Sequence, residues 1–307
     1  VGNFLYEWNY GSPALAPVAI FDVYGEIYAQ LRAFVEALFF KIEFDITPPI
    51  TLFEFSIPFE RAPILATERG DGSLLLNVGQ NSEQRLNGDT RDIGEKIYVE
   101  SLSDTEVLVW GMGLDRSSGQ KYKIKAGQSI FAYGGDGNDT IDLSLVTHNI
   151  KYVIEGGAGD DTLLGGQSGG RIDGGTGNDT ITGGGGIDLI VGGEGNDTID
   201  GMGDADVIFG DTGSVSNVDG GKRYRTIVGE KDGDDRILGG DGNDIIFGGG
   251  GSDWIEGGAG DDIVLGDGGN FDYIGGQLTR LDGRYDVNAR GLGAKDTILG
   301  GAGNDAL

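Results

Sequence analysis

The sequence predicts an all-β protein: a parallel β-roll, a form of β-solenoid, preceded by an antiparallel β-rich region. Three observations carry this. The C-terminal part repeats one nine-residue phrase in register. One place in that phrase is apolar and mostly β-branched. Upstream, apolar and polar residues alternate with a period of two, the spacing of a strand with one buried face.

The phrase is G-G-x-G-x-D-x-U-x, with U apolar. It reads GGDGNDTID from Gly134, GGAGDDTLL from Gly156, GGTGNDTIT from Gly174, GGGGIDLIV from Gly183 and GGEGNDTID from Gly192. It returns as GGDGNDIIF from Gly239, GGGGSDWIE from Gly248, GGAGDDIVL from Gly257 and GGAGNDAL from Gly300. Glycines at places one, two and four permit backbone conformations closed to residues with a Cβ, and crowd carbonyl oxygens into a small volume. The sixth place adds a carboxylate: Asp139, Asp161, Asp179, Asp188, Asp197, Asp206, Asp235, Asp244, Asp253, Asp262, Asp296 and Asp305. Carbonyls with carboxylates make a hard-oxygen cage suited to Ca²⁺, which takes about 6–8 oxygens. The eighth place, from Ile141 and Leu163 through Ile181 and Ile199 to Ile298, suits a short inward-facing strand.

One nonapeptide is therefore half a turn, a glycine-rich loop followed by a strand, and two complete a turn. No unit buries its apolar residue alone, so several must stack. Loops on one edge lie eighteen residues apart. Asp161, Asp179 and Asp197 are expected on one edge, Asp188 and Asp206 on the other.

These repeats resemble the RTX family over roughly the C-terminal half of the chain. The resemblance implies calcium between successive loops of an edge. Carbonyls at places one and three with the sixth-place Asp come from one loop, and those at places two and four with the Asp from its neighbour. It places Gly175, Gly177 and Asp179 between ions, with Gly193, Gly195 and Asp197, and farther on Gly240, Gly242, Gly258 and Gly260. It also implies export in one step by a type I system reading an uncleaved C-terminal signal. Val1 at the start and a last nonapeptide one residue short at Leu307 suggest a segment of a longer polypeptide.

Some units depart from the phrase. Gly165–Asp173 has Gly170 where Asp belongs yet keeps Ile172. The unit from Gly201 carries Met202 and Asp204 in glycine places. Glu230–Leu238 lacks its first glycines but keeps Gly233, Asp235 and Ile237, and Gly291–Leu299 keeps Asp296 and Ile298. Two stretches, Gly210–Gly229 and Gly266–Arg290, interrupt the repeats. They hold Lys222, Arg223, Arg225, Arg280, Arg284 and Arg290, and the aromatics Tyr224, Phe271, Tyr273 and Tyr285. One reading makes them surface loops covering a face of the roll. The other makes them a contact surface for further copies of the chain or a cell-surface partner. If the excess loops out, Asp197 pairs with Asp235, Asp206 with Asp244, Asp253 with Asp296 and Asp262 with Asp305.

The net charge is -28, and 32 of the 50 acids lie from Gly134 onward, phased to the repeat. This balance argues against nucleic acid and anionic membrane surfaces as partners. Without metal the Asp rows should repel one another. The chain has no Cys, so calcium rather than disulfides would staple it. No transmembrane helix or signal peptide is read in it.

Three regions are expected: residues 1–67, aromatic-rich and β; residues 68–133, a small β module capping the roll; and residues 134–307, the roll. Alternation from Val23 to Phe39, with its phase flipping to Ile42, Phe44 and Ile46, reads as strands with a bulge or turn near Phe40. Leu31, Phe34, Val35, Leu38 and Phe39 also fit helical spacing, so residues 28–40 carry both readings.

Enzyme signals are weak. His148 is the single histidine. Gly166-Gln167-Ser168-Gly169-Gly170 matches G-x-S-x-G but falls inside the ladder, where the strand-turn-helix of a nucleophile elbow is not expected. Pairs such as Asp160/Asp161 and Asp234/Asp235 are places five and six of a loop rather than glycosidase acids. Asn138, Asn178 and Asn196 begin N-x-T triplets that are likewise place five. The expected function is a non-enzymatic, calcium-binding structural or adhesive segment of a large secreted or cell-surface RTX protein of bacterial type. The alternative is a secretion and folding module for an extracellular enzyme or toxin whose active domain lies elsewhere.

Overall fold

The computed structural model describes residues 32–35, 40–43, 62–86, 89–147, 149–227, 229, 231–274, 277–281 and 295–307. Residues 1–61 and 62–307 are separate compact units. In the first, Arg32–Val35 pairs antiparallel with Phe40–Glu43, Val35 opposite Phe40. Those residues are therefore strand rather than helix; the rest of the aromatic-rich region lies outside the described residues.

The second unit is a sandwich of two sheets. The first sheet runs, in spatial order, through Ala66–Glu68, Leu74–Leu76, Ser129–Asp136, Lys151–Ala158, Arg171–Thr176, Leu189–Glu194, Val207–Phe209, Ile245–Gly249 and Ile263–Asp267. The second runs through Gln120–Lys123, Glu106–Gly111, Lys96–Ser103, Thr140–Leu145, Thr162–Leu164, Thr180–Gly184, Thr198–Met202, Arg236–Asp241, Trp254–Ala259 and Thr297–Ala302. Consecutive repeats alternate between sheets, so each strand pairs in parallel with the strand two repeats on. Ile154, Ile172, Ile190, Ile208, Ile246 and Val264 stack in register on one sheet. Ile97, Ile141, Leu163, Ile181, Ile199, Ile237, Ile255 and Ile298 stack on the other. All but Ile298 are at most 2% exposed, and the two columns face each other as one core. Burying each side chain contributes about 1.5–3 kcal/mol, available only to a stack.

Glycine at place two is required by the stacking itself. Gly175 has φ of +111°, and a Cβ there would stand 2.1 Å from the Gly157 carbonyl oxygen of the loop below. Where the unit from Gly201 departs from the phrase, Met202 and Asp204 still take positive φ, 75° and 67°, a strained geometry that the neighbouring turns impose.

The strands before Gly134 lie in the same two sheets. Leu74–Leu76 and Lys96–Ser103 pair in parallel with the first turn of the roll, and the strands beyond them are antiparallel.

The stack continues across both interruptions: Ile199 pairs with Ile237 and Ile208 with Ile246 across the first, and Ile255 with Ile298 across the second. The frame read from sequence needs one correction. Gly210 stacks at place one between Gly192 and Gly248, so Gly210-Asp211 begins the nonapeptide that Asp232-Gly233-Asp234-Asp235 resumes. The break falls after place two, not before place one, and the looped-out residues are 212–231. The second interruption behaves alike, since Asp267 pairs with place-two Gly249. Gly266 and Asp267, rather than Gly291 and its neighbour, open that unit.

The two insertions also find each other. Gly213–Val218, Gly221–Thr226, Asn270–Ile274 and Gln277–Leu281 form one antiparallel sheet. It packs on the outer face of the first roll sheet. Phe209 stacks on Phe247 at 4.9 Å, Phe247 on Phe271 at 5.4 Å, and Tyr224 on Phe271 at 4.9 Å. Val191, Leu189, Val207, Ile245, Ile263 and Leu265 complete this second core. Tyr224 and Phe271 are buried against the roll, so these parts of the insertions cover one of its faces, the first of the two readings of the sequence.

Candidate functional site

The sixth-place aspartates form two rows. Each donates its backbone N–H to Oδ1 of the aspartate in the next loop of its edge. On one edge Asp139, Asp161, Asp179, Asp197 and Asp235 follow one another at 2.8 Å, then Asp253 at 2.9 Å and Asp296 at 3.1 Å. On the other, Asp188, Asp206 and Asp244 follow at 2.8 Å, Asp262 at 2.9 Å and Asp305 at 3.2 Å. Asp197–Asp235 and Asp206–Asp244 span 38 residues, and Asp253–Asp296 and Asp262–Asp305 span 43, so the rows cross both insertions unbroken.

Oδ1 is thus used by the ladder; Oδ2 is not. Among the described residues, Oδ2 of Asp139, Asp161, Asp179, Asp188, Asp197, Asp206, Asp235, Asp244, Asp253 and Asp262 is buried without a hydrogen-bond partner. Each such oxygen faces a cradle made by place-one glycines. A Cβ on Gly156 would lie 2.3 Å from Asp161 Oδ2 and 2.5 Å from the Gly174 carbonyl oxygen. Burial pushes these carboxyls up: Asp139, Asp161 and Asp253 to about 7, Asp197 and Asp206 to about 8, Asp235 to about 9. The hydrogen bond from the preceding N–H opposes the shift without cancelling it. Unpaired buried anions of this kind are costly unless a cation joins them.

The donors are hard oxygens, carboxylate and carbonyl, which fits Ca²⁺ rather than a metal preferring nitrogen or sulfur. Among the described residues no three His, Cys, Asp or Glu side chains converge on one point. Backbone carbonyls must therefore complete any site. The glycines assigned to that role, Gly175, Gly177, Gly193, Gly195, Gly240, Gly242, Gly258 and Gly260, all take positive φ. Each lies directly over the matching place of the loop beneath, as Gly193 does over the Gly175 carbonyl.

Both rows begin on residues that the repeat pattern does not mark. Glu95 holds place six of the first loop and donates its N–H to Asp139 at 2.6 Å. Its carboxylate accepts from Gly79 N–H and is paired with the buried Arg85 guanidinium. On the other edge Gly170 supplies only an N–H, and the Tyr152 hydroxyl donates to Asp188 Oδ1 and is 2.7 Å from the Gly183 carbonyl. Its ring fills the space beside Gly165 and Gly170. Sequence carried one faint sign of Glu95, an acid two places before the apolar Ile97 of a strand; it carried none for Tyr152. The Ser168 loop is followed by the strand Arg171–Thr176 rather than a helix, and His148 lies outside the described residues.

The family model for the RTX calcium-binding nonapeptide repeat matches residues 131–145, 153–169, 166–186, 182–214, 231–254, 238–270 and 283–307. No curated protein and no solved structure matches.

Proposed function

From a chain whose repeat region belongs to the RTX calcium-binding nonapeptide family, we propose a structural or adhesive segment that folds on calcium outside the cell. The observation carrying this is the pair of aspartate rows, with ten buried Oδ2 atoms that no group among the described residues satisfies. Calcium bound only to the folded state stabilises it by mass action. A bound cation would supply positive charge between loops; the chain supplies carbonyls to each gap, with two carboxylates wherever both loops carry the sixth-place Asp, and stacks its Ile columns once repulsion is relieved. RTX repeats are typical of secreted proteins, and extracellular calcium would switch folding on after export. Among the described residues no helix is long and apolar enough to cross a membrane. The continuous stack and its covering sheet suit stiffness and contact rather than catalysis, so we assign the segment no enzymatic role.

Circular dichroism tests the reading. Chelator should abolish most of the β signal, and millimolar-scale calcium restore it. An unchanged spectrum in chelator would sink the proposal.

A further inference from the structure

We infer that Asp211 is an additional calcium ligand, supplied by the root of the first insertion; this rests on the calcium reading above. The uninterrupted loops of its edge carry glycine at place two: Gly135, Gly157, Gly175, Gly193 and Gly249. In those loops the place-two carbonyl oxygen packs under the next loop, 2.1–2.2 Å from where a Cβ of Gly157, Gly175 or Gly193 would stand. Beneath Gly249 that position is held by a side chain instead. Asp211 Oδ2 lies 2.1 Å from the Gly249 Cβ position. The chain leaves for the insertion at this point, and the carboxylate takes the place of the displaced carbonyl.

The replacement extends to the hydrogen bonds. Gly250 N–H donates to Asp211 Oδ2 at 2.6 Å, and Gly233 N–H to Oδ1 at 3.1 Å. An ionised carboxylate offers about four lone-pair sites, so capacity remains on both oxygens. The residue is 2% exposed. A second observation points to a ligand in the same gap: Asp235 Oδ2, in a side chain only 3% exposed, has no partner. It lies beside the Gly248 carbonyl, 2.2 and 2.3 Å respectively from the Gly210 Cβ position. Asp253 closes the gap from the next loop, accepting Asp235 N–H. Asp211 therefore puts a buried side-chain carboxylate where the regular loops offer the place-two carbonyl, in the gap bordered by Asp235 and Asp253. The second insertion repeats the substitution, with Asp267 at place two.

The next residue, Thr212, accepts from Ile227 N–H at 2.8 Å, closing the base of the inserted hairpin. Calcium in this gap thus fixes the root of the sheet that covers the roll.

Calorimetric calcium titration of the full chain tests this, comparing wild type, Asp211→Asn and Asp219→Asn. Asp219 is an exposed acid of the same insertion and controls for net charge. Asp211→Asn should weaken a single binding event about tenfold or more, leaving the others unchanged. At subsaturating calcium it should also speed hydrogen exchange across Gly213–Val218 and Gly221–Thr226, while Asp219→Asn matches wild type. An Asp211→Asn isotherm equal to that of Asp219→Asn, or a loss spread evenly over all events, overturns the assignment. If Asp211→Asn fails to fold in saturating calcium, Asp211→Gly, the residue of the regular loops, is read against the same criteria. A wild type that binds no calcium refutes the functional reading itself; a calcium-binding wild type with an unaffected Asp211→Asn refutes only the ligand.

Discussion

In the strands before Gly134 and in the roll after it, the same place of the ladder holds a buried acid, yet the two regions treat that acid differently. Glu95 is 4% exposed, and the chain gives it a counterion, the Arg85 guanidinium, together with the Gly79 N–H. Asp161, Asp179 and Asp197 occupy the equivalent place in later loops and receive one N–H each and no cation. A side chain can supply one charge at the end of a stack, where a strand and a 3-10 segment have room for it. Inside the stack, loops spaced at a strand's width leave no room for a guanidinium. There the cation must be small and come from solvent.

The largest expected effect breaks the molecule at that boundary. In chelator, hydrogen exchange followed by mass spectrometry should show lost protection across Thr180–Gly184, Thr198–Met202 and Arg236–Asp241. Protection should persist across Lys96–Ser103 and Glu106–Gly111, whose core residues Ile97, Val99, Val107 and Val109 rest on the internally paired end. Uniform loss or uniform retention would erase the distinction between the regions.

Removing the internal cation should make the cap behave like the roll. Arg85→Met leaves Glu95 buried and unpaired, a loss of about 3–5 kcal/mol for a pair at 1% and 2% exposure. Urea unfolding in saturating calcium measures it. A change below about 1 kcal/mol, the scale of an exposed pair, would mean that the pair does not hold the cap.

Protons offer a third route. Folded-state carboxyls such as Asp197 and Asp206 are pushed up to about 8 by burial, against 3.8 for the ordinary group. The metal-free fold therefore binds more protons than the unfolded chain between those values. Stability from this source is full below pH 3.8 and is lost as pH rises through about 8. In chelator, the β signal should be stronger at the acid end of that window than at the alkaline end. With calcium the sign reverses, because the metal needs the ionised form and its apparent affinity should climb with pH. A metal-free spectrum that strengthens with pH would contradict the burial of these groups.

Much of this was legible in the sequence, because stacking makes the repeat and the structure share one period. The place-eight Ile columns, the two Asp rows and the pairings across the insertions follow from counting in nines. The position of the breaks did not, because Gly210-Asp211 reads as the start of the interruption until a neighbouring loop shows that it begins the next unit. The covering sheet also leaves a sign in the strands beneath it. Places seven and nine are Thr180 and Thr182 in one strand but Leu189 and Val191, Val207 and Phe209, Ile245 and Phe247 in the strands that become covered. Those side chains point away from the Ile core, so their apolarity marks a second buried face. That the two insertions pair with each other rests on contacts about fifty residues apart, such as Arg223 with Asp272, which no local pattern records.

The smallest expected effect compares the two edges within the roll. Asp179 sits inside an unbroken row: it accepts Asp161 N–H and donates its own to Asp197. Its carboxylate borders a gap on each side. Asp188 has Asp206 on one side only. On the other, its Oδ1 already accepts from Gly170 N–H and the Tyr152 hydroxyl, and Tyr152 also meets the Gly183 carbonyl that the next gap would otherwise offer. Burial and the neighbouring Asp188 hold the Tyr152 phenol well above its usual range, so it remains a neutral donor there. Asp179→Ala should therefore disturb both gaps beside it and Asp188→Ala only one. Calorimetry should show the greater loss of calcium affinity for Asp179→Ala. Equal losses from the two variants would mean that Tyr152 does not close its edge and that the two rows bind alike.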